Sequence, residues 1–120
     1  MNLTGTILLT QVFGKMTAEN GEGVILNVSS MSAIRPLTRV IAYSAAQVAV
    51  ESFTQWLAGH MAQRYSARIR VNAEAPGCCL TQQNKFISTD EQTGEPTARG
   101  LSIIEQTFMG RLGQPNNLQI

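Results

Sequence analysis

Charge, cysteine and long apolar runs are all scarce in these 120 residues. Charged side chains make up 14% and the formal net charge is +1. Holding a phosphate backbone takes a clustered basic surface. The nine basic residues are scattered, with Arg64, Arg68 and Arg70 the only local group, which argues against nucleic acid as a partner. No apolar run approaches the roughly 20 residues that span a bilayer, so no membrane partner is expected. The stretches Ile7–Leu9 and Val24–Leu26 are core-sized. No basic start followed by an apolar stretch and a small-residue cleavage site is visible, as a secretory signal would require. Cys78 and Cys79, the two cysteines, cannot build a disulfide framework. With His60 the sole histidine, zinc finds no four-ligand set at suitable spacing. A cytoplasmic setting is the default expectation.

What is present fits one small globular domain. The apolar fraction of 43% is ordinary for a folded chain and argues against wholesale disorder. Leu3, Ile7, Leu8, Val12, Phe13 and Met16 recur at three- and four-residue spacing, which predicts an amphipathic helix over 3–18. Asn20-Gly21 would end it, since both tolerate the left-handed conformation. Gly23–Ser29 is short, β-branched and apolar on both faces, the pattern of a strand buried on both sides of a parallel sheet. Residues 30–41, with Ser32, Pro36 and Thr38, read as a loop. The Ala-rich stretch 42–65, apolar at Ala46, Val50, Phe53, Leu57 and Met61, is the strongest helix. Ile69–Ala75 is a second strand stopped by Pro76-Gly77. Residues 78–97 read as a long loop, followed by a short helix at 98–107.

Strand, crossover helix and strand imply a right-handed βαβ unit with parallel strands, hence an α/β fold with part of a doubly wound sheet. Two strands leave two edges unpaired and one face uncovered. The pattern therefore suggests a portion of a larger α/β domain. In open α/β sheets, sites gather at strand C-terminal ends and helix starts. Ser29-Ser30 closes the first strand, and Tyr43 opens the long helix thirteen residues after Ser30. Pro76-Gly77 closes the second strand, with Thr81 five residues beyond Pro76, and Asn2 starts the first helix.

The run NVSSMSAIRPLTRVIAYSAAQ, followed by IRVNAEAPG, resembles the short-chain dehydrogenase/reductase family, and Asn2-Leu3-Thr4-Gly5 is similar to that family's NLxG helix start. The resemblance covers nearly the whole chain. The 30–43 stretch, the long loop and TGEPTARG further resemble members acting on sugar acids, such as mannonate/fructuronate oxidoreductases. The resemblance implies a partial Rossmann-like domain over 1–120, without the N-terminal dinucleotide-binding half and the C-terminal end. It also implies an NAD- or NADP-dependent interconversion of a secondary alcohol and a carbonyl. By the family's pattern Tyr43 is the general acid/base, Ser30 hydrogen-bonds the reacting oxygen, and Asn2 holds a water in the proton relay. Tyr43, Pro76, Gly77 and Thr81 would contact the nicotinamide side of the cofactor, with Gln47 at the ribose-binding position. Hydride passes directly between cofactor and substrate, so the protein supplies position and proton traffic. Family members assemble through helices matching 3–18 and 42–65, which implies a homo- or hetero-oligomer.

Three departures from the pattern bear on activity. Gln47 stands where the family has lysine. A tyrosine must drop from a pKa of about 10 by about three units to act as base at neutral pH, worth about 4 kcal/mol. A nearby cation supplies much of that; an amide does not. Second, no glycine-rich turn opens a helix. Gly21-Glu22-Gly23 precedes a strand instead. Third, Glu74 sits inside a strand expected to be buried, where an unpaired carboxylate is costly. The chain alone is therefore expected not to bind dinucleotide or turn over. Two alternatives stay open: a non-catalytic subunit docking on a full-length relative, and a degraded gene product without function. The site residues have plain structural readings too. Tyr43 could pack at the helix base, Asn2 could serve as a helix cap, and Gln47 could face solvent or ribose with no catalytic duty. The two thiols would line a pocket.

Overall fold

The computed structural model describes residues 2–35, 37, 39–82 and 84–118. Pro36 and Thr38, assigned above to a loop, lie outside the described residues. The chain forms two compact units, Met1–Ala75 and Pro76–Ile120.

The first unit runs α1 (Asn2–Asn20), β1 (Gly23–Val28), α2 (Met31–Ile34), α3 (Ile41–Arg64) and β2 (Ile69–Glu74). The strands pair in parallel, with Val24 opposite Arg70, Leu26 opposite Asn72 and Val28 opposite Glu74. The expected βαβ unit is therefore present, and α/β is the fold class. Gly21, at φ +71°, ends α1 and donates its N–H to the Ala18 carbonyl at 3.1 Å. That is the left-handed helix stop the Asn-Gly pair announced. One element went unforeseen. The single turn α2 interrupts the expected loop because Ser30 caps it, accepting the Ser32 N–H at 3.2 Å.

The core lies between α3 and one face of the sheet, built from Leu57, Met61, Ile69 and Val71 with Phe53, Ala18 and Ile25 packed around it. Val50, 1% exposed, is buried farther along the same helix. Two expectations need correction. In α1 the buried residues are Thr10 and Gly14, while Leu8, Leu9, Val12, Phe13 and Met16 are exposed. Thr10, Gly14 and Ala18 fall four residues apart on one face, and α1 meets its neighbours through this small-residue stripe. The large apolar side chains turn away. β1 is likewise not buried on both faces. Ile25 and Asn27 turn toward the helices, whereas Val24, Leu26 and Val28 are 58%, 51% and 64% exposed. With two strands and helices on one face, nothing among the described residues of the unit covers the other.

The second unit holds α4 (Lys85–Ser88), α5 (Ala98–Glu105) and a 3-10 turn at Pro115–Leu118. The expected long loop is thus partly ordered. Thr97 caps α5 by accepting the Gly100 N–H at 3.1 Å and donates its hydroxyl to the Ile87 carbonyl at 2.6 Å. Gly100 lies against the Ser88 carbonyl so closely that a Cβ would clash. Asp90 Oδ1 accepts the N–H groups of Gln92 and Thr93 at 2.8 and 2.9 Å, closing the turn before Gly94.

Candidate functional site

Ser30, Tyr43 and Gln47 lie on the elements that follow β1, at the cap of α2 and in the first two turns of α3. The Ser29 N–H donates to the Glu74 carbonyl at 2.7 Å, continuing the strand pairing by one step. The Ser29 hydroxyl, buried at 3% exposure, donates to Glu51 Oε1 of α3 at 2.9 Å. One residue further Ser30 turns the chain into α2, which packs on α3. Below this, Asn27 Nδ2 donates to Thr54 Oγ1 at 2.9 Å, and the Thr54 hydroxyl donates to the Val50 carbonyl at 2.8 Å. Two polar ties thus pin the end of β1 to α3.

Tyr43 lies in the first turn of α3 and is 39% exposed. Gln47 and Glu51 follow at four-residue steps, so all three fall along one side of the helix. Glu51 escaped the sequence reading, because its partner Ser29 lies twenty-two residues away. Gln47 does not face solvent. It is 5% exposed and its Oε1 has no hydrogen-bond partner among the described residues. Ser44, one turn before it, and Ser32 of α2 also bury hydroxyl oxygens without partners. An unpaired buried polar group costs about 1–3 kcal/mol, so this corner of the fold is polar and incompletely satisfied.

Asn2 is exposed at the start of α1, where its carbonyl accepts the Thr6 hydroxyl at 2.8 Å. Among the described residues no hydrogen bond joins Asn2 to Ser30 or Tyr43. Glu74 is half-buried at the end of β2, so its carboxylate is not sealed in the sheet. In the second unit Pro76 is half-buried, and Gly77 and Thr81 are exposed. Thr81 sits in a tight turn in which its N–H donates to Asn84 Oδ1 at 2.8 Å. Cys78 and Cys79 are half-buried free thiols. Burial pushes the Cys78 thiol up, and Cys79 adds to this, while Arg99 opposes it. No group of three His, Cys, Asp or Glu among the described residues could hold a metal ion. No helix among them is long and apolar enough to cross a membrane.

The residues present do not by themselves fit a dinucleotide. Position 47 offers a buried neutral amide instead of a cation. Gly21 and Gly23 serve the passage from α1 to β1; a Cβ on Gly23 would stand 2.8 Å from Thr17 Cγ2. Neither opens a helix onto a phosphate.

Comparison with known proteins supplies the frame. Residues 1–92 match the family model for short chain dehydrogenases, and the chain belongs to that family. It is 45% identical over 117 residues to the uncharacterized oxidoreductase UxuB of Bacillus subtilis, covering 98% of this chain and 41% of that protein. An uncharacterized oxidoreductase of Haemophilus influenzae is 43% identical over 119 residues, at 98% and 40% coverage. The NAD-bound crystal structure of a Haemophilus influenza protein, provisionally described as a D-mannonate oxidoreductase, superposes with a TM-score of 0.83. It is 42% identical, with 98% of this chain and 40% of that one covered. The chain thus spans about two fifths of the length of these relatives.

Proposed function

We propose that this chain carries the proton-handling part of an NAD- or NADP-dependent short-chain dehydrogenase domain. Tyr43 would exchange a proton with the substrate oxygen and Ser30 would hold that oxygen by a hydrogen bond. Asn2 would order a water behind them, and Pro76, Gly77 and Thr81 would border the nicotinamide. The observation that carries the reading is the placement of Ser30 and Tyr43: one caps the turn leaving β1, the other lies in the first turn of the helix on which that turn packs. The substrate class is a sugar acid or a related secondary alcohol, supported by the D-mannonate description of one relative. A 2-dehydro-3-deoxy-D-gluconate 5-dehydrogenase of Bacillus subtilis, 32% identical over 118 residues, supports the same class. Alone the chain neither binds dinucleotide nor turns over, because Gln47 brings no charge.

A chimera tests this. The segment of the Haemophilus influenzae relative that precedes the matched region is fused to this chain, with Gln47 or with Gln47→Lys, and assayed on sugar acids with NAD and NADP. Activity in the Gln47→Lys chimera that Tyr43→Phe abolishes supports the reading. Activity that survives Tyr43→Phe overturns it, as does no activity in either chimera.

A second reading, association through the helices matching 3–18 and 42–65, is favoured by one feature. A groove of about 860 Å³ runs between α1 and α3, lined by Ile7, Phe53, Trp56, His60 and Tyr65 among others. Trp56 and His60 stack in it with ring centroids 4.9 Å apart. Sedimentation of the chain and of its Trp56→Lys variant checks this: a dimer that the variant dissociates is the expected result, and a monomeric parent chain rules it out.

A further inference from the structure

We infer that Arg39 selects an acid substrate by pairing its guanidinium with the carboxylate of a sugar acid whose alcohol oxygen meets Tyr43; this rests on the functional reading above and names the specificity group of that same site. Arg39 stands immediately before Val40, which caps α3, and four residues before Tyr43. Its φ is +68°, and it alone among the described non-glycine residues has a positive φ. That conformation strains an L side chain, because Cβ crowds the backbone. Arg39 also lies at the positive end of the α3 dipole, the unfavourable end for a cation. No ion pair in the fold offsets these two costs. Arg39 is exposed, and the ion pairs among the described residues are Lys15–Glu19 and Arg68–Glu22. An arginine kept there against both preferences is therefore assigned to a ligand and not to the fold.

Charge defines that ligand. From Gly23 to Val50 the sequence has two basic residues, Arg35 and Arg39, and no acidic one. Arg35 closes α2 and is exposed as well. Glu51, the first acid along α3, comes eight residues after Tyr43 and already takes the Ser29 hydroxyl. The segment that carries Ser30 and Tyr43 is thus cationic and brings no counter-ion of its own. A guanidinium offers a carboxylate two parallel N–H groups, a match that a point charge does not reproduce. Two separate arginines suit one small monoanion, whereas a polyanion takes a basic cluster. A six-carbon sugar acid carries its carboxylate and its secondary hydroxyls on one short chain, so the first can pair with Arg39 while one of the second reaches Tyr43. The alditol of the same length offers no charge and forgoes that pairing.

The test is titration of the isotopically labelled 120-residue chain with D-mannonate at low salt, read from the backbone amide resonances of Arg39 and Tyr43. The expected result is saturable binding in the millimolar range that added salt weakens. Arg39→Met should weaken it at least tenfold, and Arg39→Lys, which keeps the charge, by less than threefold. Mannitol, the neutral counterpart, and acetate, the bare carboxylate, should each bind at least tenfold more weakly than mannonate. Arg35→Met should change the affinity less than twofold. Arg39→Met should leave the unfolding temperature unchanged, and a fall would assign Arg39 to the fold and overturn the inference. Absence of saturable shifts with mannonate overturns it, as does mannitol or acetate binding equally well. A loss that Arg39→Met does not produce, or that Arg35→Met produces equally, overturns it too. The readout involves neither cofactor nor turnover. An inactive chimera would therefore sink the functional reading and leave this one standing, while failure here would leave the proton role of Tyr43 untouched.

Discussion

Ser29 Oγ donates to Glu51 Oε1 at 2.9 Å, joining the residue before Ser30 to the helix face that carries Tyr43 and Gln47. The donor is buried and its partner half-buried, so the bond is made where water competes poorly. Glu51→Ala leaves the Ser29 hydroxyl unpaired and should cost about 1–2 kcal/mol in urea unfolding. Glu51→Gln keeps an acceptor and should cost less than about 0.5 kcal/mol. Equal losses in the two variants would show that the bond is not what matters there.

The Asn27–Thr54 bond should behave as a coupled buried pair. Thr54→Val keeps the shape but strands Asn27 Nδ2, at an expected cost of about 1–3 kcal/mol. Adding Asn27→Leu should then cost little more, because no buried donor remains. A double-mutant cycle reads the coupling, and strict additivity would contradict the geometry.

Gln47 should be dispensable for folding. Its Oε1 is buried without a partner, so Gln47→Met, of similar volume, should leave stability unchanged or raise it by about 1 kcal/mol. Gln47→Lys puts a cation at a buried position one turn from the Glu51 carboxylate, which Ser29 already engages, and should lower the stability of the isolated chain. Denaturant midpoints of the three proteins give the order Met at or above Gln, and Gln above Lys. A lysine variant as stable as the parent would mean that position 47 opens to water.

The Cys78 thiol is pushed above its ordinary value of 9.0 chiefly by burial, then by Cys79. The folded form therefore holds its proton more tightly than the unfolded form. This preference costs nothing below the ordinary value and weakens the fold as pH rises above it. Alkylation of Cys78 by iodoacetamide should be slower at pH 8 than that of a free cysteine. Arg99→Ala, which removes the opposing charge, should slow it further. A faster rate in that variant would reverse the assignment of Arg99.

Order and type of the main elements were legible because periodicity reports them directly: Asn20-Gly21 ended α1, the β-branched run gave β1, and the Ala-rich stretch gave α3. What stayed hidden is which side of an element faces inward. The apolar residues of α1 look like a core stripe by spacing, yet close approach favoured Thr10 and Gly14, and the large side chains faced out. The apolar strand β1 implied two covered faces, a property of the larger sheet and not of this portion. Of the proposed site, Ser30 and Tyr43 were singled out by the thirteen-residue spacing of the family pattern. Glu51 was not, since its tie to Ser29 spans twenty-two residues and depends on how β1 meets α3. The burial of Gln47 was equally invisible, because a polar residue on a helix reads as solvent-facing until the neighbouring elements are placed.

The most direct test is calorimetric titration of NADH into the 120-residue chain at low salt. The neutral amide at position 47 and the lack of a phosphate-holding turn among the described residues predict no saturable heat up to millimolar cofactor, whereas the Gln47→Lys chimera with the relative's preceding segment should bind one NADH. Saturable one-to-one binding by the unmodified chain alone would contradict the account.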